Sequence, residues 1–574
     1  MRFSSDIRTD QNHANGARPL LVLAIVLGIA AAASVWQTPL RINHDCASYL
    51  QMAEMVLDGA VPYCGVVDVN PPLSLYLHIP PAWLARQFCL SPIIVFQVGV
   101  ISLLFASAVE MFFLLRKRES GMRPAEQGVV LLAWMALFLL IDWRGDVGQR
   151  EHLFVLMYVP YLLLRIVRYR RGSVALWFAV LLGLQAGVGV ALKPHFLLCA
   201  VAVEAALMLG RRRWRTLLRP ECTALAGVVA AYAAHWLFVP AAMREAFFCR
   251  WLPLICRGYG TFDASYRDIA HDLLASPFSA AGLVGLSAAV LLLATWRRLR
   301  FRLHLLALAT LAVAGMAILC LQHKGFTYHR IPFDAAALLC LLMVGLSAAN
   351  GASRGTVPFS LRKNRYSPRP RKSRQSPCCR ETRPACHRGA LQRCLLLALF
   401  GGVLAVWFIG RPGSARPDRA DYAALRQIVA QRTCPGDRVL VMATSVRPAY
   451  PMLLQLGCRP GSRYSTAGVV ALIYAGVRPP AGQPSYRRYD EAPFEERRVL
   501  NEYRDDVKRY QPALIIVHNG PGWFGLPDDF NMFEYLVYCG WAEESLKGYR
   551  EVSGPKGWKV FVRALSPAGI AASR

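Results

Sequence analysis

Long apolar runs alternate along this chain with short polar patches rich in arginine, and the runs set the first expectation. A helix needs ~20 residues to cross a bilayer. By that measure the candidate spans are residues 19–36, 92–115, 128–143, 153–167, 174–192, 196–210, 223–239, 277–296, 303–321, 331–346 and 394–409. The pattern predicts a polytopic α-helical membrane protein of about eleven transmembrane helices. Residues 73–88 are also apolar, but Pro80 and Pro81 interrupt them, so this stretch is expected at the membrane interface and not across it. The first run follows a polar tail without a strong basic region and precedes many other spans, so it reads as a retained first helix.

Beyond residue 411 the period changes. Strand-like runs at 438–443, 512–518 and 558–563 are bounded by Gly and Pro, with helix-like segments at 448–456 and 528–539 between them. A small α/β domain is expected over 411–574. It carries neither a GxGxxG nor a GxxxxGK[ST] loop, so nothing in it points to a nucleotide.

Charge changes the picture in one respect. The chain has 66 Lys and Arg against 36 Asp and Glu, a formal charge of +30. The basic clusters abut apolar runs, as cytoplasmic membrane flanks do, and this excludes nucleic acid as the partner they imply. With residues 1–18 as a cytoplasmic tail, every major cluster falls on the inner side: 116–118, 168–171, 211–213, 297–302 and the Ser/Pro/Arg-rich loop 351–393. The outer side then receives the loop 38–91, residues 144–151, 193–195, 241–276 and 322–330, and, after a last helix at 394–410, the C-terminal domain. The 16 cysteines show no repeated CxxC, and Cys378, Cys379, Cys386 and His387 lack zinc-site spacing.

The unusual polar residues lie in the outer loops. Asp45 opens a helical pattern directly after the first span; it is either a helix N-cap or a carboxylate placed to take a proton from a hydroxyl at the membrane surface. Arg150-Glu151-His152, Lys193-Pro194-His195 and Lys324 with Tyr328-His329-Arg330 each stand at the outer end of a span. Cations there can anchor in headgroups or hold a phosphate. Glu204 sits inside an apolar run and is expected to pair within the bundle or to face a wet cavity.

The stretch 41–81, with Asp45, Tyr49, Gly59, Pro62-Tyr63, Asp68 and Pro71-Pro72, resembles the first periplasmic loop of the GT-C glycosyltransferase superfamily, which includes protein O-mannosyltransferases and aminoarabinose transferases. The resemblance implies a membrane glycosyltransferase of a bacterial inner membrane, moving a sugar from a polyprenyl-phosphate donor to an extracytoplasmic lipid, glycan or protein. In such enzymes an acidic residue of this loop is catalytic, often in an Asp-Glu pair; here Asp45 is followed by Cys46. Asp45 is thus the expected general base. Arg150, Lys193, His195, Lys324, His329 and Arg330 are the pool of phosphate ligands, with Glu151, His152 and Tyr328 beside them. Asp68 would position the acceptor or bind a divalent metal, which some relatives use. A transporter or lipid flippase, or a non-catalytic envelope assembly protein, is the alternative; a transporter would be expected to carry acidic residues well inside its spans.

Two structural expectations follow from this topology. Cys434 and Cys458, in an oxidising compartment, would form a disulfide, with Cys46 and Cys64 a weaker second pair. A reporter active only outside the cytoplasm should give signal when fused after Gly413 and none within 354–393; the reverse pattern would invert every loop assignment.

Overall fold

The computed structural model describes residues 41–140, 145–211, 214–295, 300–351, 418–477, 485–522 and 524–564. The expected spans 19–36 and 394–409 and the loop 354–393 lie outside them. The first half is helical: α1 His44–Leu57, α2 Leu73–Gln87, α3 Pro92–Leu115, α4 Pro124–Leu140, α5 Arg150–Tyr169, α6 Leu176–Ala191, α7 Phe196–Arg211 and α8 Pro220–Ala234. There follow α9 Ala241–Glu245, a π-helical turn Ala246–Trp251, α10 Leu252–Gly258, α11 Tyr266–Ala275, α12 Pro277–Thr295, α13 Arg302–Gln322 and α14 Ile331–Gly351.

Among the described residues five helices are long and apolar enough to cross a membrane, or up to six if the pair 220–237 and 241–262, bent by 107°, is one broken span. Three shorter apolar helices accompany them. α5 packs against α3, α6, α13 and α14, and its side chains are almost all buried. α6 meets α8 backbone to backbone, because a Cβ on Gly183 would lie 2.3 Å from the Glu221 carbonyl oxygen and one on Gly187 2.7 Å from the Val228 Cβ. Small residues four apart permit such an approach where no hydrophobic force separates helix from lipid.

The prolines do not break α2. It runs through Pro80 and Pro81 for 15 residues, about 22 Å at 1.5 Å per residue, because Leu75, His78, Ala82 and Ala85 bury one face against α1 and α3. Glu204 does pair within the bundle. Arg165 donates to its two oxygens at 2.8 and 2.9 Å and to Glu221 at 2.8 Å, and the Tyr161 hydroxyl adds a bond of 2.7 Å.

The C-terminal part contains α15 Asp418–Arg432, β1 Arg438–Met442, α16 Ala449–Gln455, β2 Arg459–Pro460, α17 Gly468–Tyr474, α18 Phe494–Tyr510, β3 Leu514–His518, α19 Met532–Tyr538, α20 Trp541–Ser545, β4 Tyr549–Val552 and β5 Trp558–Arg563. The sheet order is β2-β1-β3-β5-β4, with β2, β1 and β3 parallel and β5 and β4 antiparallel. β3 is buried at every position, as a central strand covered on both faces should be. Neither expected disulfide forms: all four cysteines are free. Cys458 is buried with its Sγ 3.3 Å from the Thr433 hydroxyl, while Cys46 and Cys64 contact the Val147 and Ala242 carbonyls instead of each other.

The Arg165 cluster yields a stability test. Arg165→Met would leave Glu204 without a cation and Glu221 with Arg168 alone, 3.6 Å away, and should cost about 3–5 kcal/mol. Adding Glu204→Gln and Glu221→Gln should recover much of it. Thermal unfolding of the detergent-solubilised protein measures both, and an Arg165→Met protein as stable as the wild type would remove the pairing from the account.

Candidate active site

The site begins at the N-terminus of α1. Asn43, not Asp45, caps this helix: its Oδ1 accepts from the Asp45 N–H at 2.8 Å. The Asp45 side chain is left for other partners. Gln149, just before α5, donates from Nε2 to Asp45 Oδ2 and to Asn43 Oδ1, both at 2.7 Å. Asn43 Nδ2 in turn donates to the Gly145 carbonyl at 2.7 Å and to Asp146 Oδ1 at 3.0 Å, and the Thr327 hydroxyl donates to Asp146 Oδ2 at 2.8 Å. Three segments distant in sequence are therefore fastened around one carboxylate. Among the described residues the His44 ring lies 3.5 Å from it, and no lysine or arginine pairs with it.

A second group forms where the first loop turns back. Asp68 Oδ1 accepts from the Val69 N–H at 2.7 Å and from Asn70 Nδ2 at 3.1 Å. Asn70 Oδ1 accepts from Arg150 at 2.6 Å, and the Arg150 guanidinium lies 6.0 Å from the Tyr49 ring centre.

Both groups line one cavity of about 500 Å³. Asp45, Asp68, Asp146, Asn70, Arg150 and Tyr328 form its wall with Tyr259 and Phe262. The C-terminal part supplies the rest: Thr444, Ser445, Val446 and Arg447 after β1, Tyr464, Ser465 and Thr466 after β2, and Phe524 after β3. This is the crevice outside the carboxyl ends of parallel strands, where α/β sheets commonly receive ligands.

Of the six residues in the expected pool of phosphate ligands only Arg150 lines the cavity. Burial explains the others. Lys193 is 6% exposed and bonds Glu151 at 2.5 Å, with His329 3.3 Å from its Nζ. Lys324 bonds the Tyr259 carbonyl at 2.6 Å and pairs with Asp263, so it holds the loop that carries Tyr259. Arg330 lies 3.4 Å from Asp334. His152 is buried and accepts from the Gly148 N–H at 3.3 Å. Burial first, then Lys193 and Arg150, lower the His195 pKa to about 3, so its ring is neutral. Asp146, Gln149 and Arg447 were not singled out in the sequence. The polar run 145–151 contained the first two, but nothing marked Arg447.

The three aspartates are tuned apart. Burial pushes the Asp45 carboxyl up, but His44, the Gln149 hydrogen bond and the charges of Arg150 and Lys193 outweigh it and hold the group below the ordinary aspartate value. Burial raises Asp68 despite Arg150, Asn70 and Tyr49. Burial also raises Asp146 to about 6 against its Thr327 bond, with Glu151 and Asp45 adding to the rise. Among the described residues no three His, Cys, Asp or Glu side chains converge as a metal site.

Asp146 generates a prediction. Its folded pKa lies above its unfolded value, so its ionised form costs stability above about pH 6, and the cost shrinks as the pH falls. Asp146→Asn should therefore raise Tm in detergent more at about pH 7.5 than at about pH 5. An equal change at both would exclude ionisation as its cause.

No family model matches this chain, and no curated protein matches it in sequence. In fold it is similar to the crystal structure of ArnT from Cupriavidus metallidurans bound to undecaprenyl phosphate, with a TM-score of 0.53 and 13% identity, over 96% of this chain and 99% of that one. The apo structure of ArnT from the same organism aligns at a TM-score of 0.48 and 14% identity, over 94% and 97% of the two chains. The likeness in fold is carried by the first. The chain therefore shares, over nearly its whole length, the fold of that ArnT structure.

Proposed function

We propose that this protein is a polyprenyl-phosphate-dependent membrane glycosyltransferase with Asp45 as its general base, its cavity and C-terminal domain lying on the outer side of a bacterial inner membrane. The observation that carries the reading is the state of Asp45: a carboxylate in a cavity wall, held ionised by fixed donors and not neutralised by an Arg or Lys. A structural carboxylate would be expected to sit in an ion pair, as Glu151 does with Lys193.

In the proposed reaction the acceptor hydroxyl gives its proton to Asp45 while its oxygen bonds to the anomeric carbon. The bond from that carbon to the phosphate oxygen breaks, and the phosphate leaves with the electron pair. Arg150 is the cation for that charge, since its guanidinium is in the wall and already oriented by Asn70. Asn43, Gln149 and Asp146 position the base. Lys193 and His329 act from behind the wall, where Lys193 stands 5.5 Å from the Tyr328 ring centre. Asp68, with its raised pKa, is suited to donate or accept a hydrogen bond to an acceptor hydroxyl. The likeness to a protein crystallised with undecaprenyl phosphate supports a lipid phosphate as donor carrier. The apolar helix faces would receive its chain.

Asp45→Asn leaves the Asn43 cap intact and preserves shape. Transfer of sugar from a polyprenyl-phosphate donor in membranes should fall by about 100-fold or more, the usual share of a general base, at unchanged membrane abundance. Undiminished transfer by this variant would remove Asp45 from the chemistry.

A further inference from the structure

Each cationic side chain assigned to the site from its sequence turns out to have a partner within the protein. Arg150 is bonded to Asn70, Lys193 to Glu151 and Lys324 to Asp263, and Arg330 lies against Asp334. Arg447 differs. It lines the cavity from the loop after β1, its side chain is exposed, and among the described residues no carboxylate pairs with it. Its charge reaches His44, the residue next to Asp45, and depresses the His44 pKa together with burial.

Its position is nevertheless fixed. The Arg447 N–H donates to the Ser445 hydroxyl at 3.3 Å. The helix that follows, α16, packs directly on α1, the helix that carries Asp45. Gln51 of α1 donates to the Cys458 carbonyl at 3.2 Å just beyond α16, and Arg459 pairs with Asp58 at the far end of α1 at 3.4 Å. The backbone of Arg447 is thereby registered to the base across more than four hundred residues of sequence. An arginine in a cavity wall whose guanidinium has no hydrogen-bond partner among the described residues has the chemistry of a receptor for phosphate or carboxylate oxygens.

We propose that Arg447 is a substrate-contacting residue, through which the C-terminal domain binds an anionic oxygen group in the cavity that Asp45 lines. The inference rests on the glycosyltransferase reading for its assignment to substrate, although the binding itself does not. Two sources share this chemistry: the phosphate of the lipid donor, and an anionic group on the acceptor. Arg447 lines the same cavity as Asp45 and Arg150, a position that fits either source.

The test uses the full-length protein in detergent, compared with Arg447→Gln and Arg447→Lys. Undecaprenyl phosphate is titrated first, and inorganic phosphate is then titrated into protein saturated with it, both followed by thermal shift. If Arg447 holds the donor phosphate, Arg447→Gln weakens undecaprenyl phosphate by about tenfold or more, and Arg447→Lys by less, because a lysine keeps the charge but loses the fork. If it holds the acceptor anion, undecaprenyl phosphate is unaffected and the inorganic phosphate response is lost in Arg447→Gln. Either result supports the proposal. A wild-type protein that responds to neither probe overturns it, as does an Arg447→Gln protein that responds to both as the wild type does. Asp45→Asn, measured for sugar transfer, fails or succeeds independently, since neither binding readout requires the base.

Discussion

A carboxylate taken out of water stays ionised only when donors are fixed around it, and Gln149 meets that constraint here. Its single amide bridges Asp45 and Asn43, and Asn43 passes the connection on to Gly145 and Asp146. Thr327 closes the network from the segment before α14. The network ties together the first loop, the loop before α5 and the loop before α14. Removing the network would leave Asp45 with only the more distant charges of His44, Arg150 and Lys193 to offset its burial.

The other half of the cavity depends on how the C-terminal part is held. Arg250 of the π-helical turn makes a bidentate contact with Glu502 of α18 at 2.7 and 2.8 Å, reaches Glu495 at 3.1 Å, and lies 4.2 Å from the Trp251 ring centre. Bidentate pairs specify orientation as well as energy. Trp251 donates to the Tyr63 carbonyl at 2.9 Å, and the Val67 N–H donates to the Arg463 carbonyl at 2.9 Å. These contacts present the ends of β1, β2 and β3 to Asp45. They make the C-terminal sheet a wall of the site, which its lack of a nucleotide motif did not suggest.

Clustered cations turned out to have two different uses. Lys193, Lys324 and Arg330 stand where the charge pattern placed them, at the ends of apolar helices, but each meets a carboxylate: Glu151 and Asp263 are brought in from elsewhere by folding, and Asp334 lies one turn beyond Arg330. A buried cation without a partner is costly, so the packed interior supplies one. Arg447 stands at the cavity's edge in contact with solvent and is not subject to that demand.

The sequence alone determined what rests on local physics. Apolar length marked α3, α5, α12, α13 and α14, β-rich runs marked β1, β3 and β5, and a carboxylate after the first apolar run marked Asp45. It failed where neighbours decide. α2 survives two prolines through its packing. β4 is a four-residue strand with no fully buried position, and α18 hides its apolar stripe of Val499, Leu500, Tyr503 and Val507 among charges. The cap of α1 fell to Asn43 and the cysteines stayed apart for the same reason. Which cations face the cavity, and that Arg447 is one of them, only the tertiary structure decided. Burial and pairing are properties of residues brought together from distant parts of the chain, and no local pattern encodes them.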